Sequence, residues 1–339
     1  MTDSIHARIQ AFITDPSTGD FDALACAAHD YQYRENPPYR RFVDRAGTPP
    51  PRVWRDVPAV PAFAFKDTPL ACAPAGDVFL SSGTTEGPER RARHHVPDLD
   101  LYRHAALAGF RRAVLPAGER RRFLVAAPER AWHPLSSLGA MVSWLREAHD
   151  AGAEPSFLDD GTVDLPRLAR VLDTLDDRPV LVLAVTGALL RLADHAERQG
   201  RRWRLPAGSL VLDTGGCKGY PEDLDRGRIL ARYRAVLGVD AEAVINEYGM
   251  TEMCSQLYAR AAGPAIAPPW VRTLVCDPVT GREAPRGRAG LLRHVDLANL
   301  GSVIAVQTED VGRAVEGGIE ILGRVAGAEP RGCSLLLAS

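Results

Sequence analysis

"FLSSGTTEGPERR", residues 79–91, places Ser81, Ser82, Gly83, Thr84, Thr85 and Gly87 behind the apolar pair Phe79 and Leu80. Glycines admit close backbone approach, and hydroxyls and N–H groups donate hydrogen bonds, so such a loop suits an oxyanion. Composition alone fits a polar surface loop at least as well. What lies around the stretch decides the matter. Two further glycine- or hydroxyl-rich loops, 214–219 and 246–252, also follow apolar runs of strand character. Parallel α/β sheets bind ligands at the carboxyl ends of their strands, and three such loops are more than a random surface loop explains.

Working outward, residues 1–75 read as helical segments with proline-rich breaks, and "GDVFLSSG" as a short strand running into the first loop. "DLDLYRHAALAGFRRAVL" (98–115) has helical periodicity with Asp98 at its N-cap, and "SSLGAMVSWLREAHDAG" (136–152) is a helix begun by Ser136 or Ser137. "RRFLVAAP", "PVLVLAVT" and "GSLVLDTGG" read as buried strands. "LPRLARVLDTL", "GALLRLADHAERQG" and "DRGRILARYRAVLG" read as helices. "AEAVINEYGMTE" is a strand with a turn, and the chain after about 270 is β-rich. Strands alternating with helices imply an α/β fold with mostly parallel sheets flanked by helices.

The bulk numbers exclude several classes. The chain has 339 residues, 45% hydrophobic and 25% charged, with a formal net charge of −2. The longest apolar run, 179–190, is shorter than a bilayer span, and the N-terminus has no secretion signal, so a cytoplasmic protein without membrane partners is expected. The six cysteines are scattered without a C-x-x-C pair, which argues against a zinc site or disulfide framework. Basic clusters at 89–95, 118–123 and 198–204 are balanced by acidic residues, so no nucleic-acid partner is expected. Of 41 basic residues only Lys66 and Lys218 are lysine, so each is either a chance survivor of a bias toward arginine or a position where guanidinium would not serve.

Neither G-x-x-x-x-G-K-[ST] nor a helix-opening G-x-G-x-x-G occurs. Instead "SSGTTEGP" (81–88), "NEYGMTE" (246–252) and "TEDVGR" (308–313) follow in the order and spacing of adenylate-forming enzymes. With "PAFAFKDTPL", "SSLGAMVSWL", "DTGGCKG", "DLANLGS", "LGR" and "GAEPRGCSL", the chain resembles the acyl-protein synthetases of the bacterial bioluminescence system (LuxE-type), relatives of phenylacetate–CoA ligases, over about residues 55–337. Two positions depart from the pattern: Glu89 stands where many such enzymes place lysine, and Cys217 where an aromatic residue is expected.

The resemblance implies a division into a helical N-terminal segment (1–75), an adenylate-forming core (76–320) with a β-rich C-terminal part, and a hinge remnant with a cysteine-bearing tail (321–339). It implies that Ser81, Ser82, Gly83, Thr84 and Thr85 hold the β- and γ-phosphates of ATP, and that Gly215 and Gly216 press against adenine. Tyr248 and Gly249 would close the other side, with Tyr248 stacking, Thr251 would contact the α-phosphate, and Glu252 would bind Mg²⁺. Asp310 would accept hydrogen bonds from both ribose hydroxyls, as a two-oxygen carboxylate can. His133 and Lys66 would lie near the acyl substrate.

Such enzymes usually continue past a Gly-Arg hinge into a mobile domain carrying a catalytic lysine. Here Gly323-Arg324 is followed by fifteen residues, so that domain is expected to be absent, with Lys218 or Lys66 replacing its lysine. Cys333, in "PRGCSL", matches the cysteine that receives the acyl group as a thioester in the resembled family. The expectation is therefore ATP-dependent activation of a fatty or other lipophilic carboxylic acid, capture on Cys333, and hand-over to a protein partner: a reductase, carrier protein or acyltransferase. The alternatives are direct transfer to CoA or a carrier protein, a non-catalytic adenylate-binding subunit, and an α/β-hydrolase in which "GGCKG" makes Cys217 the nucleophile with His294 as its base.

Overall fold

A computed structural model describes residues 4–74, 76–81, 91–159, 162–215 and 224–324. In chain order its helices are α1 (Ile5–Thr14), α2 (Phe21–Glu35), α3 (Pro37–Ala46), α4 (Leu99–Ala113), α5 (Ser137–His149), α6 (Leu165–Asp173), α7 (Thr186–Arg198) and α8 (Arg226–Leu237). The first strands are β1 (Val60–Pro61), β2 (Asp77–Leu80), β3 (Arg93–Val96), β4 (Arg122–Ala126), β5 (Leu158–Asp159), β6 (Thr162–Val163) and β7 (Val180–Val185). The rest are β8 (Leu210–Thr214), β9 (Val244–Tyr248), β10 (Leu257–Arg260), β11 (Val271–Cys276), β12 (Ala289–Asp296), β13 (Ala305–Val315) and β14 (Gly318–Arg324).

Local chemistry sets many of these boundaries. Asp20, Asn36, Ser136 and Asp225 each accept a hydrogen bond from an N–H in the first turn of α2, α3, α5 and α8, and Asp98 does the same for α4 at 2.9 Å. Gly47 and Gly238 end α3 and α8 in the left-handed conformation, φ +61° and +64°.

The chain forms two compact units. The first comprises residues 1–109, 250–256 and 266–339, and its sheet runs β1-β13-β12-β11 with β14 also on β13. All pairs there are antiparallel except β1 with β13. The β-rich C-terminal part is thus an antiparallel sheet, where only the other unit carries the parallel one. Its core gathers Tyr39 and Phe42 of α3, Phe65 of the 62–66 turn, Val306 of β13, and Leu70 and Val303 from the connecting segments.

The second unit comprises residues 110–249 and 257–265. Its sheet runs β10-β9-β8-β7-β4, parallel except for β10, as the strand-helix alternation anticipates. Near-continuous apolar strands such as Val180–Val185 suit a sheet covered by helices. Apolar faces of α6, α7 and α8 supply Leu168, Leu172, Leu189, Leu192, Tyr233 and Val236 to that core. Among the described residues, no helix is long and apolar enough to cross a membrane.

Candidate active site

In the second unit, β8 and β9 run parallel with Thr214 opposite Glu247, so the loops beginning at Gly215 and after Tyr248 leave the same edge of the sheet. Gly215 has φ +74°, a conformation that favours glycine, and its carbonyl accepts the Thr186 hydroxyl at 3.1 Å. A buried polar network underlies this edge. Asp213 Oδ2 accepts from Arg226 Nη1 (2.6 Å) and Tyr233 Oη (3.0 Å), while Asp213 Oδ1 accepts from Asn246 Nδ2 (3.1 Å). Beside it Glu247 accepts the Thr214 hydroxyl. Burial pushes the Glu247 carboxyl up to about 7; Thr214 pulls it down and the Asp213 charge pushes it up. Sequence reasoning passed over Asp213 and Glu247, although both lie inside the motifs it quoted.

His133 lies in the turn between β4 and α5, its N–H donating to Glu129 O (2.8 Å) and its carbonyl accepting from Ser136 N (3.0 Å). Its Nε2 is buried without a hydrogen-bond partner among the described residues. Trp144 is a core residue, but Trp132 is 70% exposed, so it is not part of the core.

In the first unit Glu252 lies within range of the Asp310 charge, although the two are 58 positions apart in sequence. Glu252, 6% exposed, sits in the turn after Met250. Burial pushes its carboxyl up to about 7; a backbone N–H and the Arg324 charge draw it down, and the charges of Asp310 and Glu309 raise it. Asp310 lies on β13 opposite Arg324 of β14, whose Nε is 3.2 Å from Asp310 Oδ1 and 3.9 Å from Glu309 Oε2. The Thr308 hydroxyl accepts the Asp310 N–H at 3.0 Å and donates to Leu292 O at 2.8 Å, fixing the backbone there. A bulge follows at Val311/Gly312. Bulges commonly re-aim a side chain next to a site.

Ser81 stands at the mouth of the first loop. Its N–H donates to Ala92 O and its hydroxyl accepts the Ala92 N–H, both at 3.0 Å, so it closes the neck of the β2–β3 hairpin. Lys66 ends the 62–66 turn, which packs against β3 and β13. Thr251 precedes Glu252 and is half-buried. Ser82, Gly83, Thr84, Thr85, Gly216, Cys217, Lys218 and Cys333 lie outside the described residues. His294, the base of the hydrolase alternative, is buried on β12 with Nδ1 2.9 Å from Thr273 Oγ1, and burial holds its pKa at about 4.

Among the described residues no group of three or more His, Cys, Asp or Glu side chains could hold a metal ion by itself. One buried carboxylate, Glu252, with the acidic charges of Glu309 and Asp310 nearby, suits an ion that keeps several waters and shares substrate phosphates. Mg²⁺ is bound in this way. The chemistry of these acidic residues is compatible with that ion, and Glu252 is the residue that would hold it.

No protein-family model matches the chain, and no curated protein does. Solved structures do. 2-Hydroxyisobutyryl-CoA ligase in the postadenylation state, in complex with 2-HIB-AMP, matches with a TM-score of 0.68 at 19% identity, covering 90% of this chain and 68% of that one. An open conformation with 2-HIB-AMP and CoA gives 0.65 at 18% identity, covering 94% and 69%. The thioesterification state with 2-HIB-AMP and CoA gives 0.64 at 19% identity, covering 95% and 68%. The chain has the α/β fold of the adenylate-forming acyl-CoA ligases.

Proposed function

We propose that this chain is an ATP-dependent ligase that activates a carboxylic acid as its acyl-adenylate and passes the acyl group to a thiol. The observation that carries the reading is buried Glu252 within range of the Asp310 charge, in a fold shared with a ligase solved with an acyl-AMP. In the first step a substrate carboxylate oxygen attacks the α-phosphorus of ATP. The bond from that phosphorus to the bridging oxygen breaks, and pyrophosphate leaves with the electron pair. This is mostly positioning and neutralisation of phosphate charge.

Asp310 accepts the ribose hydroxyls, for which Arg324 yields its oxygen. Tyr248, Gly249, Gly215 and Gly216 hold the adenine. Ser81, Ser82, Gly83, Thr84 and Thr85 donate to the β- and γ-phosphates, and Thr251 to the α-phosphate. Glu252 would hold the Mg²⁺, which would supply screening of the phosphate oxygens against the incoming carboxylate. His133 and Lys66 flank the acyl substrate, and Lys218 or Lys66 supplies the cation for the α-phosphate.

In the second step a thiolate attacks the acyl carbon, forming a thioester and releasing AMP. We place that thiol on Cys333, following the resemblance to the LuxE-type acyl-protein synthetases, with a lipophilic acid as substrate and a protein partner as receiver. A second reading gives the thiol to CoA. It is favoured by the CoA carried in two of the matched ligase structures. Carboxylate-dependent exchange of labelled pyrophosphate into ATP tests the first step, and CoA addition after single-turnover labelling separates the two acceptors.

A further inference from the structure

Glu252 and Thr251 are held by a buried clamp whose members carry no role so far. Asn299, buried in the turn after β12, uses all four of its side-chain hydrogen-bonding positions. Its Nδ2 donates to Glu252 O and to Val303 O, each at 2.8 Å. Its Oδ1 accepts from His94 Nε2 at 2.9 Å and from the Cys254 thiol at 3.4 Å. Because Nδ2 serves two carbonyls, Oδ1 must face His94, and His94 must be the donor, protonated on Nε2. His94 is fully buried on β3, the strand leaving the first loop, with the Thr251 backbone beside its ring.

The turn bearing Asn299 is itself tied down by the N-terminal helices. Gln32 of α2, fully buried, donates to Asn299 O (3.1 Å) and Leu300 O (2.9 Å) and accepts from Ile304 N (3.1 Å). The other side of the loop is fixed by Asp296, which accepts from Cys254 N (2.9 Å) and Ser255 Oγ (2.7 Å). A neutral amide thus places the Glu252 peptide without adding a charge beside its carboxylate. Networks saturated in this way hold one geometry rigidly.

We propose that Asn299, oriented by His94 and anchored by Gln32, is a positioning residue that sets the Thr251–Glu252 segment for metal-bound nucleotide. The proposal rests on the adenylate-forming reading above. Residues that orient a metal ligand typically change metal affinity by about 10–100-fold when removed.

The test is Mn²⁺ binding by the full-length protein in the presence of a non-hydrolysable ATP analogue, read by electron paramagnetic resonance below the unfolding temperature. Pyrophosphate-exchange kinetics accompany it. Asn299→Leu should weaken Mn²⁺ binding at least ~10-fold. His94→Leu, which frees Asn299 to turn, should weaken it in the same direction. His94→Gln keeps an N–H donor near the place of Nε2 and should restore most of the affinity. The KM for ATP should rise in the two weakened variants while the KM for the acid stays put. If Asn299→Leu does not fold, the His94 pair decides. Wild-type affinity in the folded His94→Leu protein, or equal loss in His94→Leu and His94→Gln, overturns the proposal. No Mn²⁺ binding by the wild type with the analogue overturns the underlying reading, and the proposal falls with it.

Discussion

Buried titratable groups in the first unit pull its pH response in opposite directions. Burial lowers His294 and His94 to about 4 and raises Asp296 to about 6. A histidine whose folded pKa lies below its unfolded value binds fewer protons when folded, so its contribution to stability is lost as pH falls from about 6.5 toward 4. Aspartate with a raised folded pKa has the opposite sign: it favours the folded state at low pH and loses that contribution as pH rises. For His294 the loss at pH 4.5 is on the order of 2–3 kcal/mol. His294→Asn keeps a partner for Thr273 but cannot titrate, so its melting temperature should fall less than that of the wild type between pH 6.5 and 4.5. Equal slopes in calorimetry would show that His294 does not titrate as its burial requires. A second expectation belongs to the lysines. Lys218→Arg should slow adenylation although charge is kept, because a planar fork does not occupy the place of an ammonium. Unchanged exchange kinetics in both Lys218→Arg and Lys66→Arg would leave the two lysines without a special role. Glu252 and Asp310 could be singled out from the sequence because they sit in short motifs. Asn299 and His94 were not read as a pair, because a buried polar side chain looks like an exposed one until its partner, here 205 positions away, is known.

At the scale of elements, β13 and β14 present Asp310, and Gly312 permits their close approach. A Cβ at Gly312 would lie 2.7 Å from Glu320 O and 2.8 Å from Leu292 Cδ2. Gly312→Ala should therefore cost roughly 1–3 kcal/mol through overpacking and raise the KM for ATP more than the KM for the acid, because the bulge beside Asp310 must shift. Thermal unfolding with paired kinetics checks both halves; an unchanged KM for ATP would detach the bulge from nucleotide binding. Helices were readable from their caps: Asp98 before α4 and Ser136 before α5 stand where the sequence placed them. Parallel order in the second unit was readable from strand-helix alternation. The pairing in the first unit's sheet was not. β1 contributes two residues to a strand more than 240 positions later, a register set by tertiary packing that local periodicity does not encode.

Across the whole molecule the chain passes between its two units at 109/110, 249/250, 256/257 and 265/266. The motif "NEYGMTE" spans one passage, with Tyr248 in one unit and Glu252 in the other. No periodicity marks that crossing, which is why the sequence reads as a single run of elements there. The acceptor thiol also belongs to this scale. Incubation with ATP and a labelled acid should mark the protein through a hydroxylamine-sensitive bond, and Cys333→Ser should lose most of the label while keeping exchange. Undiminished label in that variant would move the acceptor elsewhere, with CoA next in line.

The central claim is carboxylate activation by ATP, and carboxylate-dependent exchange of labelled pyrophosphate into ATP tests it most directly. Wild-type protein with Mg²⁺ should exchange with at least one class among fatty, aryl and other organic acids. Glu252→Gln, without the buried carboxylate proposed to hold the metal, should lose exchange by several kcal/mol of transition-state stabilisation, a rate drop of about 10²-fold or more. Exchange at the wild-type rate in Glu252→Gln, or none in the wild type with any acid, would contradict the account.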